Sequence, residues 1–327
     1  FTNRQLTALT AFSDLIPEIQ RQVQADGGTQ DYSNAVAVYL SFLVDKLAMF
    51  GSSFCVWNII GEKIENLFGR QAIPMVWEFA EVNFFSNSSG CFDNMLNWIY
   101  KSVKELPAKQ IGEVKRHNAL EKFSLPESVM VSTDPPYYDN IGYADLSEFF
   151  YVWLRRPLKN IYPEILGRMT FSKDNELIAS QYRHGSKAAA KEFFETGMFD
   201  ALKNIYEIAR ADFPVTIYYA FKQQESDTAS SGWETMLNSI IRAGFQITAT
   251  LPMRTELTTA LKSSVNALAT SIVLACRKRP PENKICGKNE FIDTLKTELK
   301  AALEKWQQAN IAPVDMAQIG RASCRER

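Results

Sequence analysis

The stretch Ser132-Thr133-Asp134-Pro135-Pro136-Tyr137-Tyr138-Asp139-Asn140 follows a short apolar run, Val129-Met130-Val131, that is itself bounded upstream by Pro126. The run reads as the end of a buried parallel strand. Each proline fixes φ, removes a backbone donor and pushes the residue before it out of the helical region. The result is a stiff, extended turn whose carbonyls cannot join a helix ladder. It holds the Asp134 carboxylate at the strand's carboxyl end, with the Pro135 carbonyl beside it and the ring of Tyr137 next along. In open α/β sheets that end is where ligands bind. An acceptor-only carboxylate, a free carbonyl and a flat ring on one rigid turn suit a planar ligand bearing an amino group.

Downstream, Leu146, Phe149, Phe150, Trp153 and Leu154 form one apolar helical face that Pro157 should stop. Arg155 and Arg156 fall at its C-terminal end, where the helix dipole favours cations, as a solvated cap or as phosphate contacts. The basic, aromatic loop Ser180-Gln181-Tyr182-Arg183-His184-Gly185-Ser186-Lys187 precedes a helix expected from about Lys187 to Ala211, and is read as a surface loop before a phosphate clamp. The period then changes. Val215–Phe221 reads as a buried strand, Trp233–Ala243 as an amphipathic helix ending at Gly244, and 246–253 and 270–277 as two more strands. Lys222 and Arg254 fall at strand ends, as substrate-side charges.

Upstream, residues 1 to about 125 are mostly helical in pattern. Thr2 and Gln5 fit a capping box, and Asp26-Gly27-Gly28 breaks the chain after the first helix. Tyr32, Ala35, Val36, Tyr39, Leu40, Leu43 and Leu47 repeat at helical spacing before a capping Gly51. A further helix is expected over 92–106. Trp57, Trp77, Trp98 and Phe84-Phe85 are assigned to packing rather than to a base-stacking platform.

Asp134-Pro135-Pro136-Tyr137 resembles the Asp-Pro-Pro-Tyr motif of amino-group DNA methyltransferases. The longer run from Asp134 to Arg156, DPPYYDNIGYADLSEFFYVWLRR, is similar to the signature of prokaryotic adenine-specific DNA methylases that carry a zinc ribbon and an uncharacterised N-terminal domain. Similar runs occur at 70–79 (RQAIPMVWEF, with Arg70, Pro74 and Glu78), 213–222 (FPVTIYYAFK) and 310–315 (NIAPVD). The resemblance implies S-adenosyl-L-methionine as methyl donor and DNA as partner. It implies that Asp134 and the Pro135 carbonyl accept hydrogen bonds from the amino group of a flipped base, adenine before cytosine, and that Tyr137 stacks on it with Pro136 stiffening the turn. Tyr138, Asn140, Tyr143, Arg155, Arg156, Arg183, Lys222 and Arg254 are the substrate-binding candidates.

The 327 residues, 46% apolar, can bury a large core as one domain or two. With 36 basic and 37 acidic residues the chain has no general pull on a polyanion, so DNA contact requires a local basic groove. No apolar run approaches a membrane span and Phe1-Thr2-Asn3-Arg4 does not open a signal peptide, so a soluble, cytoplasmic protein is expected. Cys55, Cys91, Cys276, Cys286 and Cys324 include no Cys-x-x-Cys pair, so no zinc site is expected and they read as small core hydrophobes.

The expected fold class is α/β: the C-terminal half of a Rossmann-like methyltransferase sheet over 126–280, preceded by a helical region over 1–125 and followed by a helical segment over 281–318. Ile319–Arg327 reads as a non-native tail. The family's glycine-rich cofactor loop has no counterpart: Gly27-Gly28 is the only adjacent pair, and a polar helix rather than a strand precedes it. The chain therefore reads as the C-terminal part of a longer enzyme, the alternative being a nucleic-acid-binding module without catalysis. It should bind S-adenosylmethionine weakly or not at all in titration calorimetry, and micromolar affinity would mean that these residues include the cofactor site.

Overall fold

The computed structural model describes residues 1–69, 72–107, 109–139, 141–219, 229–254 and 270–280, with positions 287, 289–290, 292–293 and 296. The chain falls into two compact units. One comprises Phe1–Val114 and Gly142–Glu176, the other Lys115–Ile141 and the described residues from Leu177 on.

The first unit is built on a helical hairpin. Helix α1 (Asn3–Ala25) opens with the expected capping box: the Thr2 hydroxyl accepts from the Gln5 amide at 3.3 Å, and the Gln5 side chain accepts from the Thr2 amide at 2.9 Å. Helix α2 (Gln30–Phe50) is capped by Thr29 and ends at Gly51. Its buried stripe differs from the expected one. Tyr32 and Ala35 are exposed, while Ser33, Ala37, Ser41, Val44 and Ala48 face inward with Leu43 and Leu47. Small side chains at spacings of three and four let the neighbouring helix lie close, and Ser41 satisfies itself by donating to the Ala37 carbonyl at 2.7 Å. By length and composition α2 could cross a membrane, which corrects the sequence expectation that no run approaches that length. Here it is the central helix of its unit, packed against α1 and sharing a core with Met95, Tyr151 and Trp153.

A short ribbon, β1 (Trp57–Asn58) and β2 (Lys63–Ile64), precedes helix α3 (Phe92–Glu105). Helix α4 (Tyr143–Leu158) then sends Tyr151, Trp153, Pro157 and Leu158 into the same core, followed by the single turn α5 (Pro163–Leu166). Pro157, expected to stop α4, is instead part of its last turn, and the helix ends one residue later at Leu158. The packing assignment of the aromatics holds for Phe84 alone. Trp57, Trp77, Trp98 and Phe85 are exposed, Trp57 and Trp77 lying outside the helices and Trp98 on α3.

In the second unit a four-stranded sheet has the order β3-β4-β6-β5, formed by Ser132–Thr133, Val215–Tyr219, Thr270–Lys278 and Phe245–Arg254. β3 and β4 are parallel, and β6 runs antiparallel to both β4 and β5. The protein is thus mixed α/β with a mixed sheet. The run Val129–Val131 was expected to be buried, yet Met130 is exposed: this segment pairs on one side only among the described residues, through a parallel bridge from Val129 to Ala209 and the Thr216 amide donating to the Val131 carbonyl at 3.1 Å. The one-turn helix α6 (Gln181–His184) leads through Gly185, at φ 78°, into α7 (Lys187–Ile208), which the Ser186 hydroxyl caps; α8 (Ala229–Arg242) ends at Gly244. Phe194, Met198 and Leu202 of α7 and Trp233, Leu237 and Ile240 of α8 pack on Val215, Ile217 and Tyr219 of β4. Cys55, Cys91 and Cys276 are buried and free, as core residues; Cys286 and Cys324 lie outside the described residues.

One buried carboxyl tests the packing of the first unit. Asp45 on α2 is pushed up to about 8 by burial, and its Oδ1 has no hydrogen-bond partner. An unfolded aspartate releases its proton near pH ~4 whereas folded Asp45 keeps it to about 8, so between those values the native state holds the extra proton and stability falls as pH rises. Asp45→Asn should flatten that slope and gain on the order of 2–4 kcal/mol at pH ~8, measured by urea unfolding across the pH range.

Candidate functional site

The parallel pairing of β3 with β4 aligns Ser132 with Thr216 and Thr133 with Ile217, so both strands leave the sheet at the same edge. Two residues beyond that register stand Pro135 and Tyr219. Because β6 is reversed, Ile272 near its start pairs with Tyr219, and Thr270 pairs with Arg254 at the end of β5. The carboxyl ends of three strands therefore share one edge, and the Asp134 turn lies on it.

Local bonds set the turn. The Thr216 hydroxyl donates to the Ser132 hydroxyl at 2.9 Å just before Asp134. The Asp134 carboxylate is exposed, and its Oδ1 accepts from the Tyr137 hydroxyl at 3.0 Å. Pro135 and Pro136 have no amide hydrogen to donate, and the Pro136 carbonyl accepts from the Tyr138 amide at 3.3 Å. Tyr138 has φ 42°, a left-handed conformation that is unusual for a bulky side chain. Two anchors hold it there: its carbonyl accepts from the Ala179 amide at 2.9 Å, and its ring meets Phe194 edge-to-face at 5.1 Å.

Reversing the chain at Tyr138 sends the two rings of the motif to different neighbours. Tyr137, half-buried, meets Tyr219 edge-on with centroids 5.4 Å apart at 83°, and Tyr219 stacks on Trp233 at 5.7 Å and 28°. The three aromatics form a column reaching from the turn into the core. The arrangement offers a carboxylate, a donor-free dipeptide and a ring whose present hydrogen bond is exposed and replaceable. It can hold a flat ring with an amino group at the Asp134 end.

The other candidates separate. Asp134, Pro135, Pro136, Tyr137, Tyr138 and Arg183 belong to the second unit, with Arg183 on α6. Tyr143, Arg155 and Arg156 belong to the first. There the guanidinium groups serve α4's surroundings: Arg155 donates to the Arg168 carbonyl at 2.7 Å and weakly to that of Gly167 at 3.4 Å, and Arg156 makes a bidentate pair with Asp14 at 2.8 Å for both bonds. That pair holds the Asp14 carboxyl below its ordinary value. Tyr143 is the first residue of α4, half-exposed, and its carbonyl accepts from the Ser147 hydroxyl. Arg254 closes β5 at the shared edge, while Asn140, Lys222 and Arg70 lie outside the described residues. Glu78 is exposed, in a segment without helix.

Sequence reading passed over Tyr219 and Trp233. A signal was available in the alternation of Val215, Ile217 and Tyr219 on the buried face of a short strand, which carries a hydroxyl into the core and demands a partner for it.

No protein-family model, no curated protein and no solved structure matches the chain.

The strained turn has a measurable anchor. Tyr138→Ala should destabilise the second unit by about 2–3 kcal/mol, less than the roughly 3–5 of a fully buried ring, in urea unfolding followed by tryptophan fluorescence.

Proposed function

We propose that this chain holds the target base of a DNA amino-methyltransferase, adenine before cytosine, as part of a longer cytoplasmic protein that uses S-adenosyl-L-methionine. One observation carries the reading: the Asp134-Pro135-Pro136-Tyr137 turn lies at the carboxyl edge of a parallel strand pair, in a sheet whose last two strands in the chain, β5 and β6, form an antiparallel pair, as the resemblance to the second half of a methyltransferase sheet implies.

Among the described residues no glycine-rich loop follows a strand to offer the cofactor a cradle of backbone N–H groups. The chemistry assigned to this chain is therefore confined to the base. The Asp134 carboxylate and the Pro135 carbonyl accept from the amino group and orient its nitrogen lone pair. Tyr137 gives up its own bond to Asp134 and stacks on the ring. No covalent protein intermediate is needed, so the contribution is positioning and electrostatics. DNA affinity comes from phosphate contacts elsewhere.

Two substitutions test this in the longer protein. Asp134→Ala should lower methyl transfer to DNA by about 100- to 1,000-fold with DNA affinity nearly unchanged; normal turnover would sink the assignment. Tyr137→Phe should keep most activity and Tyr137→Ala should lose about 1–3 kcal/mol of flipped-base stabilisation, read from DNA carrying a fluorescent base at the target. Tight DNA binding with no transfer by the unaltered protein would instead favour a binding module.

A further inference from the structure

The column of rings behind the turn contains two donors that have no hydrogen-bond partner among the described residues. Tyr219 is wholly buried at the carboxyl end of β4, and its hydroxyl has no hydrogen-bond partner. The indole N–H of Trp233, stacked against it, is also buried and unpartnered. An unpaired buried polar group costs about 1–3 kcal/mol, and native proteins keep few of them. Phenylalanine would fill the place of Tyr219 with the same ring contacts and without that cost.

We propose that the Tyr219 hydroxyl is a specificity-determining donor, reaching the ring nitrogen next to the amino group that Asp134 and the Pro135 carbonyl hold. This rests on the base-binding reading above and deepens it. Adenine and cytosine share one edge: an amino group on a ring carbon flanked by an acceptor nitrogen. Two acceptors on the motif and one donor behind Tyr137 are complementary to that edge. Thymine and hypoxanthine present a carbonyl beside an N–H in the same places, so every partner would be mismatched. The hydroxyl is suited to donate because burial, with smaller contributions from the Asp139 carboxylate and the Tyr137 and Tyr138 phenols, pushes its pKa up and keeps it protonated.

Access follows from the Tyr137 contact. Tyr137 lies edge-on against Tyr219 while its hydroxyl occupies Asp134 at 3.0 Å. An incoming amino group takes that place on Asp134 and displaces the Tyr137 hydroxyl from it. Turning of the Tyr137 ring then presents its face to the base and uncovers Tyr219.

The test is an NMR titration of the 327-residue chain with deoxyadenosine monophosphate and with its analogue in which the ring nitrogen beside the amino group is replaced by C–H. Loss of one neutral hydrogen bond predicts about fivefold to tenfold weaker binding of the analogue. This comparison leaves the fold untouched. Tyr219→Phe should bind the natural nucleotide with the same loss and melt no earlier than the unaltered chain, and it should no longer distinguish the two nucleotides. If both nucleotides bind the unaltered chain equally, or Tyr219→Phe binds as tightly as it, the donor role is overturned. The base-binding reading then survives, provided that Asp134→Ala still weakens binding. A chain that gives no saturable shift with the natural nucleotide overturns both.

Discussion

The parallel pairing of β3 with β4 is the constraint on which the second unit depends. The Thr216 amide bonded to the Val131 carbonyl, and the Thr216 hydroxyl bonded to that of Ser132, fix where the short strand ends relative to the longer one. A slip of one residue would turn Asp134 to the opposite face and carry Tyr137 away from Tyr219. β4 can impose this register because Val215, Ile217 and Tyr219 are locked between the residues of α7 and α8, so the short edge strand inherits a position it could not specify alone.

Much of this was legible because the determinants are local. The capping box of α1, the glycine after α2 and the three strands after residue 214 each rest on neighbours in the sequence, and periodicity or cap chemistry reports them directly. The turn was legible for the same reason: two successive prolines limit the backbone whatever surrounds them. The face of α2 was not, since burial there selects small residues for close helix approach, and hydrophobicity alone points to Tyr32 and Ala35, which are exposed. Nor does a linear reading display an excursion: 142–176 adjoins the motif in the chain yet clusters with α1–α3. Side-chain chemistry alone could not tell that Arg156 meets a carboxylate far away in the chain, at Asp14.

Three costs in this unit gather at one place. Among the described residues the left-handed backbone of Tyr138, the partnerless buried hydroxyl of Tyr219 and the unpaired indole of Trp233 lie on or behind the Asp134 turn, and the one other unpaired buried side-chain atom of the unit is Nε2 of His184 on α6. Elsewhere in the same core local preference and packing agree: Ser186 caps α7, the Ser239 hydroxyl returns to the Thr235 carbonyl, and Cys276 is enclosed among aliphatic side chains. Natural sequences are consistent across levels except where something besides stability is being served. Phenylalanine at Tyr219 would remove the unpaired hydroxyl and glycine at Tyr138 would remove the backbone strain, neither changing the fold class.

The same reasoning distinguishes the turn from the arginines of α4. Arg155 and Arg156 also bear on a substrate in the sequence reading, but their donors are matched by carbonyls and a carboxylate in a geometry that needs nothing further. Around the turn, satisfaction is partial: Asp134 accepts one exposed bond from a neighbour three residues away, and two donors in the column behind it remain unpaired. A surface that is complete in itself has little to gain from a ligand. Where an exchangeable bond lies over unpaired donors, a ring of matching edge pattern would add hydrogen bonds, and it is this difference that favours the Asp134 turn over the basic end of α4 in the proposed base-binding reading.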